Sequence, residues 1–256
     1  MSRFLPVAVA IGVLITAATR AAGADQTGYL YSYAVNDTRY ADTVGAIDAY
    51  KPFGSPAAVV RPYFGFLASL DSRSTGGSVP QTYNDNYAVG ALGLQYTTPS
   101  GLRVFIQGGV STPLGSVAAV PSGGDLRYGV QLYREWTGGA HAPRYYGNFY
   151  GSAAFTSRYS DSELYNQLEV GRRVGRGPLG TQLYARGTLT LDTHGYFYAN
   201  AAELALGVRF YPFGAHGPSL AIEQVGGTYL RGIPLPTGTS PSYTDFRPTV
   251  TFGMNI

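Results

Sequence analysis

From about residue 58 to the end of the chain, apolar and polar side chains alternate with a period of two. The clearest stretch is the last, where Phe246, Pro248, Val250, Phe252, Met254 and Ile256 alternate with Arg247, Thr249, Thr251, Gly253 and Asn255. A β-strand sends successive side chains to opposite faces, so this pattern predicts an amphipathic strand. Leu102, Val104, Ile106 and Val110 likewise oppose Arg103, Phe105, Gln107 and Ser111, and Leu204, Leu206, Val208 and Phe210 oppose Glu203, Gly207 and Arg209. Ten such segments can be counted, at roughly 58–70, 86–98, 101–112, 124–137, 144–158, 163–174, 180–192, 196–211, 219–231 and 244–256. All run past ten residues, longer than the usual soluble strand of about five or six. Membrane strands of about 9–11 residues, extended past the bilayer, fit better.

The connections point the same way, because outer-membrane barrels pair short periplasmic turns with long external loops and an even strand count. With strand 58–70 rising from the periplasm, the long connections 71–85, 113–123 and 232–243 fall outside, and Thr98-Pro99-Ser100-Gly101 becomes a tight periplasmic turn. Upstream, Tyr29 to Val35 and Ala46 to Phe53 are a possible first hairpin within residues 25–57. The expected fold is therefore all-β, a transmembrane antiparallel up-and-down barrel of twelve strands over 58–256 plus that hairpin. The alternative is ten strands with residues 25–57 as an N-terminal plug or arm.

A soluble β-sandwich would also alternate, but its water-facing side should be rich in Lys and Glu. This chain has a single lysine, Lys51, and its polar faces carry Tyr, Gly, Thr and isolated arginines instead. Trp136, Phe155, Phe210 and Tyr211 fall near strand ends, where interfacial aromatic girdles lie. Only 13% of the residues are charged, against about 25% in a typical soluble domain, while 45% are hydrophobic, which excludes disorder. Met1-Ser2-Arg3, the apolar run Phe4 to Ala18 and the small residues Ala22-Gly23-Ala24 read as a signal peptide over residues 1–24. Without its Arg3 and Arg20 the basic excess falls to a single charge, too little to bring the chain to nucleic acid.

Strand parity turns Arg61, Arg103, Arg127, Arg158, Arg186 and Arg209 inward with Glu135 and Glu169, alongside Tyr63, Tyr133 and Tyr184. Charges in a narrow lumen must either pair or line water, because an unpaired buried charge is costly. These residues are thus candidate contacts for a passing hydrophilic solute, with Arg186 and Glu169 as an example of a pair. The bland alternative is that they fill a plugged interior. A lipid-acting hydrolase would need a histidine beside a serine at the membrane boundary. His194 is the best candidate, with Asp192 on its face and Ser160 and Ser162 nearby, while His141 and His216 sit in turns. Its inward direction favours a non-enzymatic barrel. No cofactor or metal is expected, since three scattered histidines and no cysteine offer no ligand spacing.

At Gly124-Asp125-Leu126-Arg127-Tyr128-Gly129 followed by Arg134-Glu135-Trp136, at Leu183-Tyr184-Ala185-Arg186, and at Gly207-Val208-Arg209-Phe210-Tyr211-Pro212-Phe213, the chain resembles the C-terminal barrel domains of bacterial exopolysaccharide secretion porins and phage-adsorption outer-membrane proteins. The resemblance covers about residues 58–256 and implies a cell-outer-membrane protein of a Gram-negative bacterium, acting in polysaccharide export. The helical-repeat region of that family has no counterpart in the 33 or so residues before the first confident strand. This implies an accessory barrel or a separate periplasmic polysaccharide-export component as partner. The other expected partners are outer-membrane lipid and lipopolysaccharide, and the barrel-assembly machinery through the C-terminal strand 244–256.

Overall fold

The computed structural model describes residues 28–38, 42–72, 86–114, 122–138, 142–174, 180–195, 200–213, 217–230, 238 and 240–256. The expected signal peptide, most of connection 71–85, His141 and His216 lie outside the described residues. Twelve strands follow one another: β1 (Tyr29–Asp37), β2 (Asp42–Pro52), β3 (Val60–Asp71), β4 (Tyr87–Thr97), β5 (Leu102–Pro113), β6 (Gly123–Gly138), β7 (Ala142–Thr156), β8 (Asp161–Val174), β9 (Gly180–Asp192), β10 (Ala201–Tyr211), β11 (Ser219–Tyr229) and β12 (Ser242–Asn255). Each pairs antiparallel with its sequence neighbours, and β12 closes on β1 from Tyr29 opposite Asn255 to Val35 opposite Thr249. The hairpin β1–β2 is part of the wall, which settles twelve strands against ten.

Closure makes side-chain direction a single choice for the whole molecule. Tyr184 faces Gly207, which faces Glu223, which faces Arg247, and this register continues to Tyr29 and around through Tyr50. Facing residues share a side, so one parity per strand looks into the lumen and the other looks out. The outward set is apolar: Leu206 is 63% exposed, Leu92 is 67% exposed, and Val104, Ile106, Leu168, Leu183 and Ile222 are exposed as well. So large an exposed apolar belt is stable only against lipid. Outward aromatics sit at both ends of the belt, with Tyr96, Trp136, Tyr145 and Phe210 toward the end bearing the chain termini. Tyr211 corrects the sequence reading, because its parity is inward and its hydroxyl donates to Gln182 Oε1 at 3.1 Å.

The connections at the end bearing the chain termini are 53–59, 98–101, 139–141, 175–179 and 212–218, and those at the other end include 72–86, 114–122 and 230–241. The tightest turn is built by its sequence. Pro99 holds a fixed φ, Gly101 N donates to Thr98 O at 2.7 Å, and Gly101 itself takes a φ of 74°, which a side chain disfavours. Leu102 N then donates to Thr98 Oγ1 at 3.0 Å.

An arginine placed on the belt should reveal what covers it. Leu206→Arg is expected to lower the unfolding free energy in lipid vesicles by about 2–4 kcal/mol. Tyr133→Arg, inward and half exposed, should cost far less. Equal costs for the two in urea titrations would contradict the lipid assignment.

Candidate functional site

The lumen is filled differently on its two sides. Along β7–β12, three buried or half-buried glutamates each gather one tyrosine and one arginine. Glu169 receives both terminal nitrogens of Arg209 at 2.8 Å and the Tyr146 hydroxyl at 3.0 Å. Glu223 receives Tyr184 at 2.6 Å and Arg186 at 2.5 Å. Glu203 receives Tyr243 at 2.7 Å and Arg247 at 2.8 and 2.7 Å, and Arg247 also bonds Asp245 at 2.5 Å. Glu169 and Glu223 are each 2% exposed, so removing either arginine would strand a buried charge.

Apart from Tyr146, which reaches Glu169 on the adjacent β8, the tyrosine and arginine contacts to these glutamates skip the nearest strand. Arg186 lies opposite Glu169 in register, and Arg247 lies opposite Glu223, yet neither binds the acid it faces. Small residues make the longer reach possible. Tyr184 of β9 lies over Gly207 of β10, where a Cβ would collide with its ring, and so reaches Glu223 of β11. Tyr243 of β12 crosses Gly227 of β11 to Glu203 of β10 in the same way. Arg186 passes Ala205, which is its facing residue on β10. The sequence reading of Arg186 and Glu169 as a pair is thus corrected: they are neighbours with exchanged partners.

Along β2–β6 the same row appears with glutamines in place of glutamates. Tyr63 of β3 crosses Gly93 of β4 and donates to Gln107 of β5 at 2.8 Å, and Tyr50 donates to Gln95 at 2.6 Å. Arg103 stacks among Tyr50, Tyr63 and Phe105, with its guanidinium carbon 4.7, 5.7 and 5.4 Å from the ring centres, and donates to Gln131. It has no carboxylate within ion-pair distance among the described residues, and its Nε is buried without an acceptor. A cavity of about 260 Å³ opens over this side, with Asp48, Tyr50, Tyr63, Arg103, Gln107 and Gln131 on its wall and Tyr87, Arg127 and Glu163 toward the far end. Arg127 is tied to Asp125 at 2.7 Å, and Asp48 accepts the Tyr29 hydroxyl at 3.0 Å.

Of the residues expected from the sequence to contact a solute, Tyr63, Arg103 and Arg127 line the cavity. Tyr184, Arg186, Arg209 and Glu169 belong to the opposite network. Arg61 is buried at the end bearing the chain termini, where its Nε lies 3.5 Å from Phe53 O. Glu135 and Tyr133 are inward on β6 and exposed at the same end. Arg158 departs from its expected strand position. β7 ends at Thr156, and Arg158 sits in the following turn, stacked 4.5 Å from the Tyr87 ring centre. His194 is also in a rim turn, with its Nδ1 3.1 Å from Asp161 Oδ1. Asp192 accepts Asn200 Nδ2 at 2.6 Å, and Ser160 Oγ donates to Ser157 O at 3.5 Å. Sequence reading missed Asp48, Gln95 and Tyr243, and the glycines under the tyrosines. An inward tyrosine, glycine and acid at matching register would have been the signal.

No protein-family model matches the chain, and no curated protein matches it. Solved structures do resemble it. LpxR from Salmonella typhimurium is 10% identical, with 88% of this chain and 99% of that chain covered and a TM-score of 0.40. The β domain of the Bordetella autotransporter BrkA is 13% identical over 88% and 98% of the two chains, with a TM-score of 0.38. A bacterial polysaccharide outer membrane secretin is 8% identical over 90% and 99%, with a TM-score of 0.37.

The crossing glycines carry a prediction of unusual sign. Gly207→Ala should destabilise the barrel by about 1–3 kcal/mol, the usual cost of overpacking, because the new methyl meets the Tyr184 ring. Gly187→Ala, an outward strand position with open space at Cβ, should be neutral or stabilise by about 0.5–1 kcal/mol. Urea unfolding in vesicles compares them, and a stabilising Gly207→Ala would contradict the crossing contact.

Proposed function

We propose that the chain is an outer-membrane barrel that gives a small hydrophilic solute a narrow polar passage along its β2–β6 wall, while the β7–β12 wall is a fixed structural half. The observation that carries this reading is the asymmetry of the lumen. One side is closed by acid-centred ion pairs, and the other keeps a cavity of about 260 Å³ walled by amides, aromatic rings and Arg103, with Asp48, Arg127 and Glu163 also on its wall. Carboxamides and stacked planar groups suit an uncharged polyhydroxylated solute better than an ion. Exopolysaccharide export, with a separate periplasmic component, is the setting that the sequence resemblance suggests. The apolar belt and the contrast between short connections at one end and long ones at the other support placement in the outer membrane, with β12 offered to the assembly machinery and lipopolysaccharide against the external half.

The reading is non-catalytic: His194 sits on Asp161 in a rim turn, and Ser160 is used within its own turn. A second reading, a barrel working through its external connections as a surface receptor, draws on the length of 72–86 and 230–241. Conductance separates the two. In planar bilayers the protein should give small, steady steps, and Arg103→Ala should enlarge them several-fold because the guanidinium obstructs the cavity. Absence of conductance in both proteins would defeat the passage and leave the external connections as the working part.

A further inference from the structure

Two charged groups on the cavity wall lack a counterion, and they are opposite in sign. Glu163 of β8 reaches the wall toward the end away from the chain termini, and no hydrogen bond or ion pair holds it among the described residues. Its facing residue on β9 is a second carboxylate, Asp192, and the next inward residue of β8 is a third, Asp161. Both of these are tied. Asp192 accepts Asn200 Nδ2 at 2.6 Å, and Asp161 accepts Ser162 N at 2.7 Å and Thr193 N at 3.0 Å. Like charges set opposite one another repel, so Glu163 gains from a cation brought into the cavity. Arg127 shares the wall but is taken by Asp125, through Nε at 3.0 Å and Nη2 at 2.7 Å.

Arg103 is the converse, nearer the end bearing the chain termini. Its guanidinium is stacked on three rings and donates Nη2 to the neutral Gln131, with no carboxylate in ion-pair distance among the described residues. The register shows what separates the two charges. Glu163 faces Ala154, Ala154 faces Gly129, and Gly129 faces Phe105, which is two residues from Arg103 on the same side of β5. Three strand spacings of about 4.8 Å thus lie between β8 and β5. Gly129 and Ala154 raise no long side chain between them, so the floor from one charge to the other is open. The cavity, at about 260 Å³, is close to the roughly 300 Å³ at which small-molecule sites begin.

We propose that this cavity binds a zwitterionic sugar derivative of no net charge, with its carboxylate on Arg103, its ammonium on Glu163 and its hydroxyls toward Gln107 and Asp48, an assignment that rests on reading the cavity as the site of a small hydrophilic solute. Each end of such a ligand supplies the counterion that the wall lacks. A singly charged sugar would satisfy one end and leave the other unmatched. The stacked guanidinium is already held in place, so little ordering is needed to receive a carboxylate.

Four probes on one ring frame separate the charges: glucose, glucuronate, glucosamine and 2-amino-2-deoxyglucuronate. Their binding is measured by equilibrium dialysis against the full barrel folded in uncharged detergent micelles. The zwitterion should bind about tenfold more tightly than either singly charged sugar, and each of those about tenfold more tightly than glucose. Arg103→Gln should erase the gain from the carboxylate and keep that from the amine, and Glu163→Gln should do the reverse. Arg103→Lys and Glu163→Asp should keep part of each gain, with folding checked by heat-modifiable gel migration. A zwitterion bound no more tightly than the better singly charged sugar would overturn the proposal on the unaltered chain alone, and so would losses in the glutamine variants that ignore ligand charge. Dialysis needs no transport. Charge-matched binding without conductance would defeat the passage only, and conductance without charge-matched binding would defeat this assignment only.

Discussion

In a hydrocarbon layer every backbone N–H and C=O must find its partner within the protein, and this chain meets that demand by closing a twelve-stranded sheet through β12 and β1. Closure fixes more than the backbone. Because the register runs unbroken around the wall, a strand with the wrong parity would send its arginines into lipid and its leucines into the lumen. The alternation in the sequence is therefore a requirement imposed by the solvent on each side. Low charge and abundant tyrosine and glycine follow from it, since the outward positions are apolar and the inward ones must pack a narrow interior.

Packing that interior is the harder problem, and it is solved with tyrosine over glycine. A long inward side chain cannot lie flat over a neighbouring strand that bears a side chain of its own. Gly207, Gly227 and Gly93 remove that obstacle, so Tyr184, Tyr243 and Tyr63 reach acceptors two strands away. Where the acceptor is a glutamate, an arginine joins and the side is closed. At Gln95 and Gln107 no arginine joins the tyrosine, and Arg103 is left stacked on aromatic rings beside open space. The exchange of glutamate for glutamine at the tyrosine acceptors thus goes with the change from a filled wall to a hollow one.

Much of this was legible in the alternation itself. The apolar face of β12 and the inward set on β5 follow directly from a period of two, as does the outward belt on β10. The first hairpin was ambiguous because Tyr29, Tyr31 and Tyr33 alternate with small or apolar residues, so both faces look alike until β12 pairs with β1. Partner identity was not legible. Arg186 and Glu169 are facing neighbours, and only the intervening small residues on β10 show why Arg186 turns to Glu223. Turn positions also escaped the pattern, since parity has no meaning beyond the last paired residue. Arg158 and His194 are the examples.

The difference between the two walls is the centre of this account, and water-soluble methanethiosulfonate labelling of single cysteines in the folded barrel tests it most directly, because the chain has no cysteine of its own. Cysteines replacing Gln107 and Ala154, on the cavity wall, should react readily. Cysteines replacing Ala205 and Val225, buried beneath the glutamate network, should remain protected. Equal reactivity at all four positions would contradict a lumen divided into a sealed and an open half.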